Sequence, residues 1–141
     1  MHIDKSDIEG FEKIYRLNLI NSISGIKPAN LIGTRSLKQI DNVAIFSSVV
    51  HLGSNPAQLG FIMRPQSNKF SDTFKNIKDT GCYTINHIHA DLIKRAHYTS
   101  AKLRSEESEF ETMNIEKEFI KDFYAPFVKE SFVQKITLEL F

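Results

Sequence analysis

The residues best suited to chemistry lie between Asn42 and Ile77. Arg64 closes an apolar run, a polar loop Gln66-Ser67-Asn68-Lys69 follows, and Ser71-Asp72-Thr73 opens a helical pattern. The free amides of a helix N-terminus attract an anion. Ser67 and Thr73 can donate hydroxyls, Arg64 can grip phosphate oxygens through two parallel N–H groups, and Lys69 adds a point charge. This set suits a phosphate clamp. It also suits a capped helix behind a polar loop with no ligand, and Asp72 reads as a first-turn partner of the helix dipole rather than an anion contact.

Other reactive side chains give weaker patterns. His87 and His89, with His97 and Asp91, could bind a metal, or stand as partly exposed helix and loop residues. Cys82 opens a strand beside apolar residues with no neighbouring base, so it reads as a buried small hydrophobe rather than a nucleophile. Glu106, Glu107, Glu109 and Glu111 read as a solvated loop. Lys94, Arg95, Lys102 and Arg104 read as a solvated helix face, open to an anionic ligand. The Walker phosphate loop, G-x-G-x-x-G, H-E-x-x-H, C-x-x-C and Gly-x-Ser-x-Gly motifs are all missing.

Elements must hold these residues in place. Ser6 to Asn21 predicts a helix, capped by Ser6 or Asp7, with Glu9 completing a capping box if Ser6 is the cap. Ile8, Phe11, Ile14, Tyr15 and Leu19 form its stripe. Strands are predicted at Ala29 to Arg35, Asn42 to Val50 and Gln58 to Arg64, with a turn at Gly53-Ser54-Asn55-Pro56. Their connections are too short for crossover helices, so neighbours should pair antiparallel. A helix runs from a Ser71 cap to Gly81 with Phe74 and Ile77 facing inward, then a strand from Cys82 to Asn86 and a helix from Ala90 to Tyr98. Ser105 to Asn114 reads as loop, Pro126 stops any helix around Phe119, Ile120 and Phe123, and Phe132 to Phe141 alternates as a half-buried strand. The chain stops inside that strand, which raises the expectation of a truncated sequence.

Composition bounds the class. At 141 residues the chain is one domain, 1–141, and 41% hydrophobic content supplies a core. Eighteen basic residues against 17 acidic ones give no broad basic surface for nucleic acid. One cysteine excludes an internal disulfide framework and fits a reducing cytoplasm. There is no apolar run long enough for a transmembrane helix, and Met1-His2-Ile3-Asp4-Lys5 carries no apolar signal core.

An ordered set of segments resembles the flavin reductase-like family. The segments are Asn42-Val43-Ala44-Ile45-Phe46-Ser47-Ser48, Ser54-Asn55-Pro56, Leu59-Gly60-Phe61-Ile62-Met63-Arg64, Asp72-Thr73-Phe74-Lys75-Asn76-Ile77 and Gly81-Cys82-Tyr83-Thr84-Ile85-Asn86. Glu109-Phe110-Glu111 and Ala125-Pro126-Phe127-Val128-Lys129-Glu130-Ser131 extend the likeness, which runs from about Ala29 to the C-terminus. The resemblance implies a mainly β fold, an antiparallel Greek-key split barrel of six strands with flanking helices, used as a homodimer with flavin at its interface. It implies that the second strand and the loop after it face the isoalloxazine and ribityl chain, which maps to Asn42, Ala44, Ser47, Ser48 and Val49. It places the phosphate at the loop and helix start after the third strand, which maps to Arg64, Ser67, Lys69 and Thr73.

Members of this family reduce FMN or FAD with NADH or NADPH, or keep FMN as a bound electron carrier. Hydride transfer to a flavin needs no side-chain acid or base, which fits the lack of a catalytic constellation. Family members usually continue past this point with further strands and a late histidine. The expectation is therefore an FMN-binding oxidoreductase. The alternatives are an FMN carrier without NAD(P)H activity, or a truncated flavin-free dimer with a binding role.

Overall fold

The computed structural model describes residues 2–65 and 70–137. Helices and sheets are mixed. In chain order the elements are α1 (Lys5–Gly10), α2 (Lys13–Ser22), β1 (Asn30–Arg35), β2 (Asp41–Phe46), β3 (Val49–Ser54), β4 (Ala57–Phe61), α3 (Asp72–Thr80) and β5 (Tyr83–His87). A 3-10 turn (Ala90–Leu92) leads into α4 (Ile93–Tyr98), followed by α5 (Glu109–Thr112), β6 (Lys117–Glu118), β7 (Phe127–Val128) and β8 (Gln134–Thr137). Among the described residues the strands form three sheets, with orders β2-β1-β5-β8, β3-β4 and β6-β7, and no closed barrel. Every pairing is antiparallel; the short connections require this for β1–β2 and β3–β4, whereas β5 reaches β1 and β8 across long stretches of chain.

Strand β1 is buried on both faces, including the polar Asn30 and Thr34. On one face Leu31 and Val43 pack with Leu92, Ala96, Phe110, Ile115 and Val128. On the other, Ile32 and Ile85 pack with Val49, Ile77 and Tyr83. Each such side chain contributes about 1.5–3 kcal/mol through burial. An edge-to-face series Phe46, Phe61 and Tyr83, with ring centroids 5.0 and 5.1 Å apart, ties the β3–β4 hairpin to the sheet.

The segment carrying β7 lies hard against β1 and β5. The Thr84 hydroxyl donates to the Pro126 carbonyl at 2.7 Å, and the Val128 amide donates to Asn86 Oδ1 at 3.0 Å. Gly33 permits this approach. A Cβ there would lie 2.3 Å from the Pro126 carbonyl oxygen and 2.5 Å from Thr84 Oγ1.

Several expectations change. The single N-terminal helix is two. Asp4, not Ser6 or Asp7, caps α1, with Asp7 as the reciprocal partner of a capping box. Phe11 is extended, and the Glu12 carboxylate accepts from the Ile14 and Tyr15 amides at 2.8 and 3.3 Å, which restarts the helix. The strand expected over Asn42–Val50 breaks at Ser47-Ser48, where the chain leaves β1 as partner and takes β4. The third strand ends at Phe61 rather than Arg64.

Ser105–Asn114 is not all loop: α5 lies within it and drives Phe110 into the core. Cys82 is half-buried rather than buried. Ser71 caps α3 through the Phe74 amide at 3.3 Å, and Gly81 ends it at φ 68°, a left-handed conformation that glycine adopts at little cost. Ile77 faces inward as expected, whereas Phe74 is half-buried and stacks on Phe70. The last strand is described at Gln134–Thr137, and residues 138–141 of the expected strand lie outside the described residues.

Candidate functional site

The first cluster sits where β2 gives way to β3. Ser47 is exposed and Ser48 half-buried. The Ser48 hydroxyl donates to the Ile62 carbonyl at 2.8 Å, and the Ile62 amide donates to the Ser48 carbonyl at 3.3 Å. This clasp joins the β2–β3 corner to the chain leaving β4. Arg64, exposed, lies two residues beyond Ile62. Ser47, Ser48 and Arg64 thus all lie within two residues of this clasp, on a rim formed by the two chain segments it joins. Val49 lies beneath that rim, 8% exposed and packed in the core. Ser67 and Lys69 fall outside the described residues.

The second cluster is at the other end of β2, where Asn42 and Thr73 meet. Asn42, Ala44 and Phe46 alternate onto the sheet face that α3 covers, and half-buried Ala44 lies opposite Ile32. The amide oxygen of Asn42 accepts from Thr34 Oγ1 at 3.2 Å and Thr73 Oγ1 at 3.1 Å, and its nitrogen donates to Glu109 Oε2 at 3.3 Å. Asn76 Nδ2 donates to Thr34 Oγ1 at 3.1 Å. Each shared hydroxyl hydrogen then has one acceptor, and the chain runs from Asn76 through Thr34 and Asn42 to Glu109. These residues are at most 9% exposed.

Asn42 and Thr73 are therefore hydrogen-bonded to each other inside the protein, with their polar atoms engaged. Five residues separate Asn42 from Ser47, about 16 Å along an extended strand. The residues expected around one ligand thus fall into two groups, one open and one closed.

Thr34, Asn76 and Glu109 went unnoticed in the sequence because nothing local marks them. Glu109 stands in an acidic run read as solvated, yet it covers the outer edge of β2. Its carboxylate accepts the Val43 amide at 3.4 Å, a donor that no neighbouring strand takes. Burial pushes its pKa up, opposed by its own amide and that of Val43 and reinforced by the nearby Asp72 charge. Asp72 Oδ1 accepts from Lys75 Nζ at 3.2 Å and from the Ser105 hydroxyl at 2.9 Å. Beside this network lies a cleft of about 320 Å³ lined by Asn42, Asn76, Asp72, Lys75, Ser105 and Glu106, among others.

Two of the remaining candidates have partners within the protein. Arg95 is not a free surface cation: it pairs with Glu130 and donates to the Asn114 carbonyl at 2.6 Å. His89 packs on Phe132 and lies 3.9 Å from Asp91. Among the described residues no three His, Cys, Asp or Glu side chains converge to hold a metal. No helix there is long and apolar enough to cross a membrane.

Comparison with known proteins places this geometry. A protein described as a flavin reductase with split barrel domain, from Shewanella frigidimarina NCIMB 400, superposes with a TM-score of 0.88 at 46% identity, covering 96% of this chain and 67% of its own. Nitrilotriacetate monooxygenase component B from Bacillus cereus superposes at 0.84 with 17% identity, over 96% of this chain and 66% of its own. Pseudomonas fluorescens 2-nitrobenzoate 2-nitroreductase NbaA gives 0.80 and 18%, over 96% and 64%. The chain thus spans about two thirds of the length of these structures. None of the curated proteins matches the sequence. The profile described as the flavin reductase like domain matches residues 26–135, most of the chain and all of both clusters. The chain belongs to the flavin reductase-like domain family.

Proposed function

We propose that this protein is a flavin-binding oxidoreductase of the flavin reductase type, passing hydride from NADH or NADPH to flavin, with FMN as the flavin. The observation that carries the reading is the rim at which the Ser48–Ile62 clasp gathers Ser47, Ser48 and Arg64. The side chains there fit a flavin mononucleotide. Arg64 can hold phosphate oxygens through two N–H groups. Ser47 can donate its hydroxyl. Ser48 has given its hydrogen to Ile62 and is left as an acceptor, suited to a ring N–H.

Ser67 and Lys69 complete the proposed phosphate contacts. Asn42, Ala44, Val49 and Thr73 serve the same site indirectly, by fixing β2 and β3, which lead into Ser47 and Ser48. When bound, the flavin supplies the redox chemistry, and the protein binds it, orients it and shields it. The wider reading is a split barrel assembled as a cytoplasmic homodimer. It is supported by the family and by an uncharged stretch from Asn42 to Met63 that includes exposed apolar side chains.

The test is the visible spectrum of the purified protein after incubation with excess FMN and desalting. A flavin spectrum near one per subunit is expected, and a colourless protein would reject the reading. Mixing the loaded protein with NADH or NADPH without oxygen should then bleach it. No bleaching, with dithionite still effective, would mean an electron carrier instead.

A further inference from the structure

Two apolar surfaces of this chain lack a partner among the described residues, and neither belongs to the proposed flavin contacts. The first is the N-terminal arm. Neither α1 nor α2 buries a side chain. In and just beyond α2, Ile14, Tyr15, Leu17, Ile20 and Ile23 are 61, 52, 47, 44 and 69% exposed. They lie around the helix, between Lys13, Arg16, Asn18 and Asn21, rather than on one stripe. A ten-residue helix is too short to stand alone in water. The arm is nonetheless internally organised: Glu12 caps α2, Arg16 donates to the Glu9 carbonyl at 3.3 Å, and Phe11 meets Tyr15 edge to face.

The second surface is the β3–β4 hairpin. Val50, Leu52 and Ile62 are 41, 62 and 67% exposed, and no Asp, Glu, Lys or Arg occurs from Asn42 to Met63. Depletion of charge is the mark of an interface core. Leu52 lies across Gly60 and fills the space a side chain would take there. The eight exposed side chains together present on the order of 700 Å², close to one protomer's share of a standard interface.

We infer that the arm of one protomer seats α2 on the β3–β4 hairpin of a second copy, and the reverse, about a two-fold axis. This rests on the homodimer proposed above and adds its contact. A two-fold interface satisfies both surfaces at once, since each copy supplies one arm and one hairpin. The arm precedes the matched domain, which starts at residue 26. The hairpin's root carries the Ser48–Ile62 clasp, so an arm lying on it walls one side of the partner's rim.

The test uses the full chain and two variants, Leu17→Glu with Ile20→Glu on the arm, and Leu52→Glu on the hairpin. All three side chains are exposed in the protomer, so circular dichroism should be unchanged. Sedimentation should show a dimer for the parent at micromolar concentration and at least tenfold weaker association for both variants. Hydrogen exchange should show protected amides over residues 14–22 in the parent and lost protection in Leu52→Glu. FMN retention should fall in both variants.

A dimer that survives the arm variant, or arm amides indifferent to Leu52→Glu, would overturn the inference while leaving flavin binding by a hairpin-only dimer intact. A monomeric parent would overturn it too: protected arm amides would then mean that the chain's own surface covers α2. If that monomer still holds FMN, the functional reading stands without the arm.

Discussion

Arg64 carries the testable charge of the proposed site. Replacing Arg64 with Ala removes the proposed bidentate phosphate partner while touching no core packing, since the residue is exposed. Flavin affinity should fall at least tenfold, about 1.4 kcal/mol, in a fluorescence titration. An unchanged dissociation constant would remove Arg64 from the site. Glu109 makes a different prediction. Burial raises its carboxyl pKa from an ordinary 4.5, so between the two values the folded state holds a proton that the unfolded state has lost. Its contribution to stability is full below the ordinary value and is lost as pH rises through the raised one. Glu109→Gln keeps the shape and has no proton to lose. In urea unfolding the variant should gain stability relative to the parent as pH increases from 4 to 8. A constant difference across that range would show that Glu109 titrates as it does in the unfolded chain.

At the level of elements, packing of the β7 segment on β1 depends on a missing side chain. Gly33→Ala would put a methyl group against the backbone carbonyl of Pro126, and neither the sheet nor the covering segment can yield cheaply. A loss of at least about 3 kcal/mol is expected in chemical denaturation. A variant as stable as the parent would mean that the 125–128 segment is free to shift. The bounds of helix α3 were legible, because Ser71 and Gly81 are local signals that act within a few residues. The break at Ser47-Ser48 was not. An alternating run of Val, Ile and Phe favours extension, and nothing local reveals that the strand changes partner in the middle. Helix α5 escaped for a similar reason: its acidic residues suit a solvated loop, and only the pocket that takes Phe110 decides otherwise.

Across the whole molecule, flavin binding and folding should be coupled. A ligand that binds only the folded chain at 100 times its dissociation constant adds about 2.7 kcal/mol, or roughly 5–10 °C in Tm for a domain of this size. Excess FMN should raise the melting temperature by that amount, and a flat response would speak against a folded-state flavin site.

The sequence by itself determined the family, the antiparallel pairing of strands joined by short connections, and the α3 caps. These rest on order along the chain and on interactions within a few residues. Only the tertiary structure decided how the candidate residues divide. The amide of Asn42 is filled by Thr34, Thr73 and Glu109, which reach it across 8, 31 and 67 residues of chain. Ser48 reaches Ile62 across 14. A hydrogen-bond partner that distant leaves no mark beside the residue it satisfies, so whether a polar side chain faces a ligand or closes on its own protein is settled by packing.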